Sequence, residues 1–152
     1  LYVAQGLERL LGKSRCTLEL SSSKDLIAKM NDTVAVLMLS HVNFRDGSIH
    51  DAADLTKKAH ENGILVIWDL AHSAGVLSLA LDDWDVDFAV GCGYKFLNGG
   101  PGAPAFLYVN RRLQGQFQPL QRQLLMHLLS DHRHSQEQGK ELILQNFHNV
   151  LI

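Results

Sequence analysis

Lys95 is the residue in this chain best placed to do covalent chemistry. It follows an apolar run in Asp87-Phe-Ala-Val-Gly-Cys-Gly-Tyr-Lys95 and precedes a glycine-rich turn, Asn98-Gly-Gly-Pro-Gly102. The run reads as a buried strand ending on the lysine, and an ammonium there is costly to bury and easily neutralised. That environment suits an amine that attacks an aldehyde, as in a Schiff base with pyridoxal phosphate. A lysine snorkelling at a strand end is the commoner fate, so Lys95 alone decides nothing. Two more apolar runs supply its companions. Ile64-Leu-Val-Ile-Trp-Asp69 delivers a carboxylate, with His72 three residues on, and Val34-Ala-Val-Leu-Met-Leu-Ser40 delivers a hydroxyl. Continuous apolar runs without alternation fit strands covered on both faces of a parallel sheet. Ligands of open α/β sheets bind beyond the carboxyl ends of the strands, where these groups would converge. A single Asp after a strand is more often a turn residue or helix cap, so the weight lies on the combination.

The elements that must position these groups alternate in type. Residues 2–11 place Val3, Leu7, Leu10 and Leu11 at helical spacing, with Gly12 as terminator. A short strand is expected over 16–20 and a helix over 23–30, capped by Ser23 and burying Leu26, Ile27 and Met30. After the strand ending at Ser40, Asp46-Gly47 marks a turn. An amphipathic helix over 50–62 then presents Leu55 and Ala59 on one face and ends at Asn62-Gly63. It leads straight into the strand ending at Asp69, the right-handed crossover of α/β proteins. Strands over 88–92 and 105–109 complete the series, and no internal repeat is evident. Trp68 and Trp84 read as packing residues.

Composition narrows the function classes. The net charge of -2 and scattered Lys and Arg give no basic footprint for nucleic acid. Two cysteines, Cys16 and Cys92, are too few for a disulfide framework and read as reduced thiols of a cytoplasmic protein. No run of about 18 apolar residues suggests a membrane span, and no signal peptide is evident. His41 and His72 lack the spacing and partners of a zinc site, so no metal is expected. Asn98-Gly-Gly-Pro-Gly102 lacks the Gly-Lys-Ser/Thr ending of a P-loop and is expected to shape the backbone beyond Lys95. Arg45 meets a carboxylate or phosphate, or is an exposed loop arginine.

Three strings, Leu39-Ser-His-Val-Asn-Phe-Arg45, Trp68-Asp-Leu-Ala-His-Ser-Ala-Gly75 and Gly91-Cys-Gly-Tyr-Lys-Phe-Leu-Asn-Gly-Gly-Pro-Gly102, resemble the kynureninase family. These are pyridoxal-phosphate hydrolases of the aspartate-aminotransferase fold group. The resemblance covers roughly the first 120 residues. It implies an α/β fold, part of the large domain of a type I pyridoxal-phosphate-dependent transferase fold, with a mostly parallel sheet flanked by helices. It implies Lys95 as the Schiff-base lysine and Asp69 as partner of the pyridine nitrogen. Ser40, His72 and Tyr94 match cofactor-contacting positions, with the Tyr94 hydroxyl near the phosphate and a proton-relay role for Tyr94 alongside Lys95. The implied reaction is hydrolysis of L-kynurenine or its 3-hydroxy form to anthranilate or 3-hydroxyanthranilate and L-alanine, in a cytoplasmic homodimer. Cysteine desulfurases usually carry Gln and His where His72 and Tyr94 stand, and need a cysteine downstream of the lysine; none follows Cys92. A desulfurase-like lyase is therefore the alternative enzyme reading, and a non-catalytic remnant the alternative of another class.

The resemblance stops on both sides. Leu1-Tyr-Val-Ala-Gln-Gly6 resembles the family just after its ring-stacking aromatic, and the phosphate-holding loop lies earlier still. After Pro119-Leu120 the family continues into a Gly-Trp-Phe-Gly-His type segment, whereas this chain reads Gln121-Arg-Gln-Leu-Leu-Met-His127. Eight of the nine glutamines lie from Gln114 onward, so composition shifts at the same place. Residues 1–120 are therefore expected to be a partial cofactor-binding domain. Residues 121–152 are expected to be a divergent tail of frameshifted or replaced origin, or else a divergent helix through Leu124, Leu125, Leu128 and Leu129. The chain alone is expected to be inactive.

Overall fold

A computed structural model describes residues 2–116 and 141–145. The expected helix through Leu124–Leu129 and the boundary at residue 120 lie outside them. One six-stranded sheet organises the chain: β1 (Thr17–Ser21), β2 (Val34–Ser40), β3 (Leu65–Asp69), β4 (Phe88–Cys92), β5 (Ala105–Val109) and β6 (Glu141–Gln145). Their spatial order is β1-β6-β2-β3-β4-β5. The ladders β2–β3 and β3–β4 are parallel, whereas β5 runs antiparallel to β4 and β6 antiparallel to both β1 and β2. Four strands thus share one direction, the mostly parallel sheet expected. The sequence reading named no strand within 121–152; five of those residues form β6, which fills the one-strand gap between β1 and β2.

Alternation along β2 and β3 sorts side chains to two cores, because successive strand residues face opposite ways. Leu37, Leu39, Val66, Trp68 and Leu70 pack with α2 (Leu26–Lys29) and α3 (Ala52–Glu61) on one face. Val36, Met38, Ile67, Phe88 and Val90 pack on the other with Cys16, Leu113 and Ala4 of α1 (Tyr2–Leu11). Helix α3 begins one residue after Asp51, whose carboxylate accepts the Asp54 N–H at 3.0 Å, and stops at Gly63 with φ 71°. Its buried face carries Leu55 and Ala59 as expected, and also Thr56, whose hydroxyl accepts the Trp68 indole N–H at 3.0 Å.

Two helices depart from expectation. α2 is a single turn starting after Asp25, since Ser22 rather than Ser23 bonds that carboxylate. At about 100° per residue, Leu26 and Met30 share a face and are buried, which turns Ile27 outward to 51% exposure. In α1 Ala4 is buried and Leu10 is exposed, while Gly12 ends the helix with φ 80° as expected. Strand β1 runs one residue later than expected, leaving Cys16 buried just before it.

At the amino edge of the sheet, Asp87 is fully buried and bonded from three directions. It accepts the Val66 N–H at 2.7 Å, faces His60 Nε2 at 2.8 Å and pairs with the Arg112 guanidinium, which also holds Asp85 at 2.9 Å. The end of α3, the start of β3 and the segment after β5 are thereby tied to the start of β4. Removing one member of such a buried pair leaves the others unsatisfied. Asp87→Ala is expected to lower unfolding stability by about 3 kcal/mol in urea titrations followed by circular dichroism, and Asp87→Asn by less.

Candidate functional site

The carboxyl edge of the sheet is built differently. Ser40 and Asp69 are register partners on β2 and β3, so they share a face at the last residue of each strand. Both are buried, at 9% and 7% exposure, and one Asp69 oxygen accepts the Ala71 N–H at 2.8 Å. The ladder runs slightly past them through His41 N–H to Asp69 O at 3.0 Å and Leu70 N–H to Val90 O at 2.7 Å. Beyond Asp69 the chain turns tightly, with the Ser73 and Ala74 N–H groups both donating to Leu70 O, and this turn carries His72.

Strand β4 ends at Cys92, three residues short of Lys95, so the lysine stands in the following turn and not on the strand. The turn is closed by Gly93 N–H to Pro104 O, Gly99 N–H to Gly93 O and Asn98 N–H to Lys95 O, each at 2.9 Å. A side chain on Gly99 would place its Cβ 2.7 Å from the Ala103 Cβ. The glycine-rich segment thus shapes the backbone around Lys95, as its composition implied. The two turns then meet. Gly75 has φ 91°, and a Cβ there would fall 2.6 Å from the Phe96 carbonyl oxygen, so only glycine lets them close.

Across that contact Lys95 Nζ lies 2.9 Å from His72 Nε2. An ammonium can only donate, so Nε2 accepts and the imidazole proton sits on Nδ1, which is buried without a partner among the described residues. Burial, and then the Lys95 charge, hold the His72 pKa below its ordinary value of 6.5, consistent with a neutral ring. Lys95 itself is half-buried, a milder setting than the apolar strand end expected. The Tyr94 ring centroid is 5.8 Å from Lys95 Nζ. The structure therefore brings together Ser40 with Asp69, and His72 with Lys95 and Tyr94, at the carboxyl ends of neighbouring strands.

Two contacts were not anticipated. Phe44 stacks on His72, with ring centroids 5.9 Å apart and planes 25° from parallel, and Phe96 meets the same ring edge-on at 6.4 Å. Their signal was present as aromatics within two of the quoted strings, but nothing in spacing joined them to His72. Arg45 lies 5.8 Å from the Phe44 centroid and is exposed. His41 faces the opposite core, edge-on to Trp68 and Trp84. Burial, and then His50, lower its pKa too. Among the described residues no three His, Cys, Asp or Glu side chains group as metal ligands, and no helix is long and apolar enough to cross a membrane.

A mostly parallel sheet flanked by helices, with a lysine in the turn after β4 and an acid closing β3, defines the class. The aminotransferase class-V family model matches residues 13–135, and the chain belongs to that family, which is pyridoxal-phosphate-dependent. Its similarity within the family is to kynureninases. It is 50% identical to the kynureninase of Deinococcus radiodurans over 112 residues, 74% of this chain and 27% of that protein. It is 46% identical to the kynureninase of Burkholderia mallei (strain SAVP1) over 121 residues, 79% of this chain and 29% of that one. Among solved structures, an apo cysteine desulfurase from Thermococcus onnurineus NA1 matches with TM-score 0.56 and 27% identity, over 63% of this chain and 24% of that chain. The chain thus spans under a third of the length of the curated relatives it matches.

Two outcomes follow from this geometry. Gly75→Ala combines left-handed strain with a backbone collision and should cost about 2–3 kcal/mol in urea unfolding. His41 and His72 contribute to the pH dependence, because their folded pKa values lie below 6.5. Depressed values mean that their stabilisation is complete above pH 6.5 and is lost as pH falls through the folded values. Urea midpoints should therefore drop between about pH 7 and about pH 5, and His41→Phe should flatten that slope.

Proposed function

We propose that this chain carries the lysine-bearing part of a pyridoxal-phosphate-dependent kynureninase. The intact enzyme hydrolyses L-kynurenine or 3-hydroxykynurenine to anthranilate or 3-hydroxyanthranilate and L-alanine. The observation that carries this reading is the Lys95–His72 pair at 2.9 Å, in a segment half identical to a kynureninase. The buried Nδ1 of His72, a donor without a partner among the described residues, fits a site completed by a further acceptor. The chemistry such a cofactor supplies is an aldehyde that captures amines and a ring that withdraws electrons from the substrate Cα.

The residues divide the remaining work. Lys95 Nζ would be the nucleophile toward the aldehyde and the base toward the substrate Cα proton, and His72 Nε2, 2.9 Å away, orients that amine. The Asp69 carboxylate, held by the Ala71 N–H, would keep a ring nitrogen protonated through its opposite charge. Ser40 lies beside it in register and would lie against the cofactor. Tyr94 binds near the phosphate and relays protons. We assign residues 1–120 to a partial cofactor-binding large domain and 121–152 to a divergent tail, in a protein whose intact form is a cytoplasmic homodimer. Exposed Phe44, Val76, Tyr94, Phe96 and Leu97 support a covering partner for this edge.

Incubation with pyridoxal phosphate, borohydride reduction and peptide mass spectrometry should find the pyridoxyl group on Lys95 and lose it in Lys95→Ala. Equal labelling of surface lysines would sink the reading. For the reaction itself, residues 13–116 can replace the matching segment of the Deinococcus radiodurans kynureninase. That chimera should hydrolyse kynurenine, and Asp69→Ala within it should cut the rate by about a hundredfold or more.

A further inference from the structure

We propose that Phe44 is a positioning residue of this site, holding the plane of the His72 imidazole so that Nε2 stays turned to the Lys95 amine. The inference rests on the reading of Lys95 and His72 above and extends it to a residue outside the pair. A histidine ring attached through an sp³–sp² torsion has a broad rotational preference, so its own rotamer does not fix which nitrogen faces a neighbour. The hydrogen bond to Lys95 is directional and needs that plane fixed. Phe44 lies nearly flat on the imidazole, while Phe96 meets it at 66°. Offset-stacked and edge-on arrangements are the favoured ones for such rings, and together they brace the imidazole against rotation.

The backbone beneath Phe44 is hydrogen-bonded on both sides. Val42 and Ile49 form an antiparallel bridge, the Asn43 N–H donates to Ser48 O at 2.9 Å, and the Gly47 N–H donates to Asn43 O at 2.8 Å. The Asn43 side chain also accepts the Arg45 N–H at 3.0 Å. This hairpin returns from β2 toward α3 and carries Phe44 to the β3 turn. An aromatic 47% exposed on such a turn adds little to the core, yet it covers the catalytic imidazole. Of the charged and titratable groups, Lys95 meets that ring directly, while Tyr94 lies against Lys95, Arg45 beside Phe44, and Asp69 closes the strand before the turn.

The test uses the whole 152-residue chain, labelled with ¹⁵N, and reads the His72 imidazole nitrogens during a pH titration, with His72→Gln to assign the signals. The native chain should show one tautomer, protonated on Nδ1, and a midpoint below the ordinary histidine value. Phe44→Ala should give mixed tautomers, a midpoint raised toward that value, and pyridoxal-phosphate labelling of Lys95 slowed about tenfold. Phe44→Tyr, which keeps the ring, should restore the native tautomer and midpoint. Should Phe44→Ala fail to fold by circular dichroism, Phe44→Leu is read in its place and should behave as Ala was expected to. An unchanged tautomer and midpoint in the folded Ala or Leu variant overturns the proposal, as does a Tyr variant no better than Leu. The imidazole readout needs no cofactor, so failure of labelling in the native chain would strike the functional reading alone.

Discussion

The site depends on the contact between the backbone of Gly75 and the carbonyl of Phe96. Nothing larger than a hydrogen fits between them, and the φ of 91° at Gly75 is one that other residues adopt only under strain. Because the turn after β3 and the turn after β4 touch there, the side chains they carry meet on the outside of the contact. His72 and Lys95 are 23 positions apart in the chain and 2.9 Å apart in space. Parallel pairing of β3 with β4 brings both turns to the same edge, but pairing alone would leave them separated by the width of two loops. The glycine converts a shared edge into a hydrogen bond.

The sequence made most of this framework legible, and the reasons are physical. Apolar runs closed by Ser40 and Asp69 are too continuous for surface strands, so they read as inner strands, and both bounds held. The capped helix before β3 was readable from Asn62-Gly63 at its end and from the spacing of Leu55 and Ala59. Short elements were harder. A one-turn α2 offers too few residues for periodicity to say which apolar side chain faces out, and Ile27 was placed on the wrong side. Strand β6 was invisible for another reason: a five-residue stretch with three apolar residues does not by itself separate strand from helix until two open edges are there to receive it.

The site was legible as a set of residues but not as a set of contacts. Ser40 and Asp69 could be paired from strand parity once β2 and β3 were neighbours. The stacking of Phe44 on His72 could not, because it joins a hairpin tip to a turn, and neither has a period from which direction can be read. Lys95 shows the opposite error. Reading its apolar prefix as strand to the end predicted a buried amine, whereas the chain leaves the sheet at Cys92 and the amine is only half-buried. What restrains Lys95 is thus a specific acceptor on His72 more than a dry surrounding.

The two edges of the sheet differ in how fully their polar groups are satisfied. At the amino edge Asp87 is fully buried and bonded from β3, α3 and the segment after β5. Such a network is favourable only when every member is satisfied, and it specifies how the strands stack. At the carboxyl edge the polar groups are partly open and include two buried nitrogens, His41 Nδ1 and His72 Nδ1, without a partner among the described residues. An unsatisfied group of that kind is a local cost that the rest of the fold must carry. Since β3 and β4 are held firmly at one end by Asp87, their other ends can tolerate strained turns, exposed rings and unpartnered nitrogens without the sheet coming apart. The arrangement places the strained turns and exposed rings at the full length of a strand from the interactions that compensate for them.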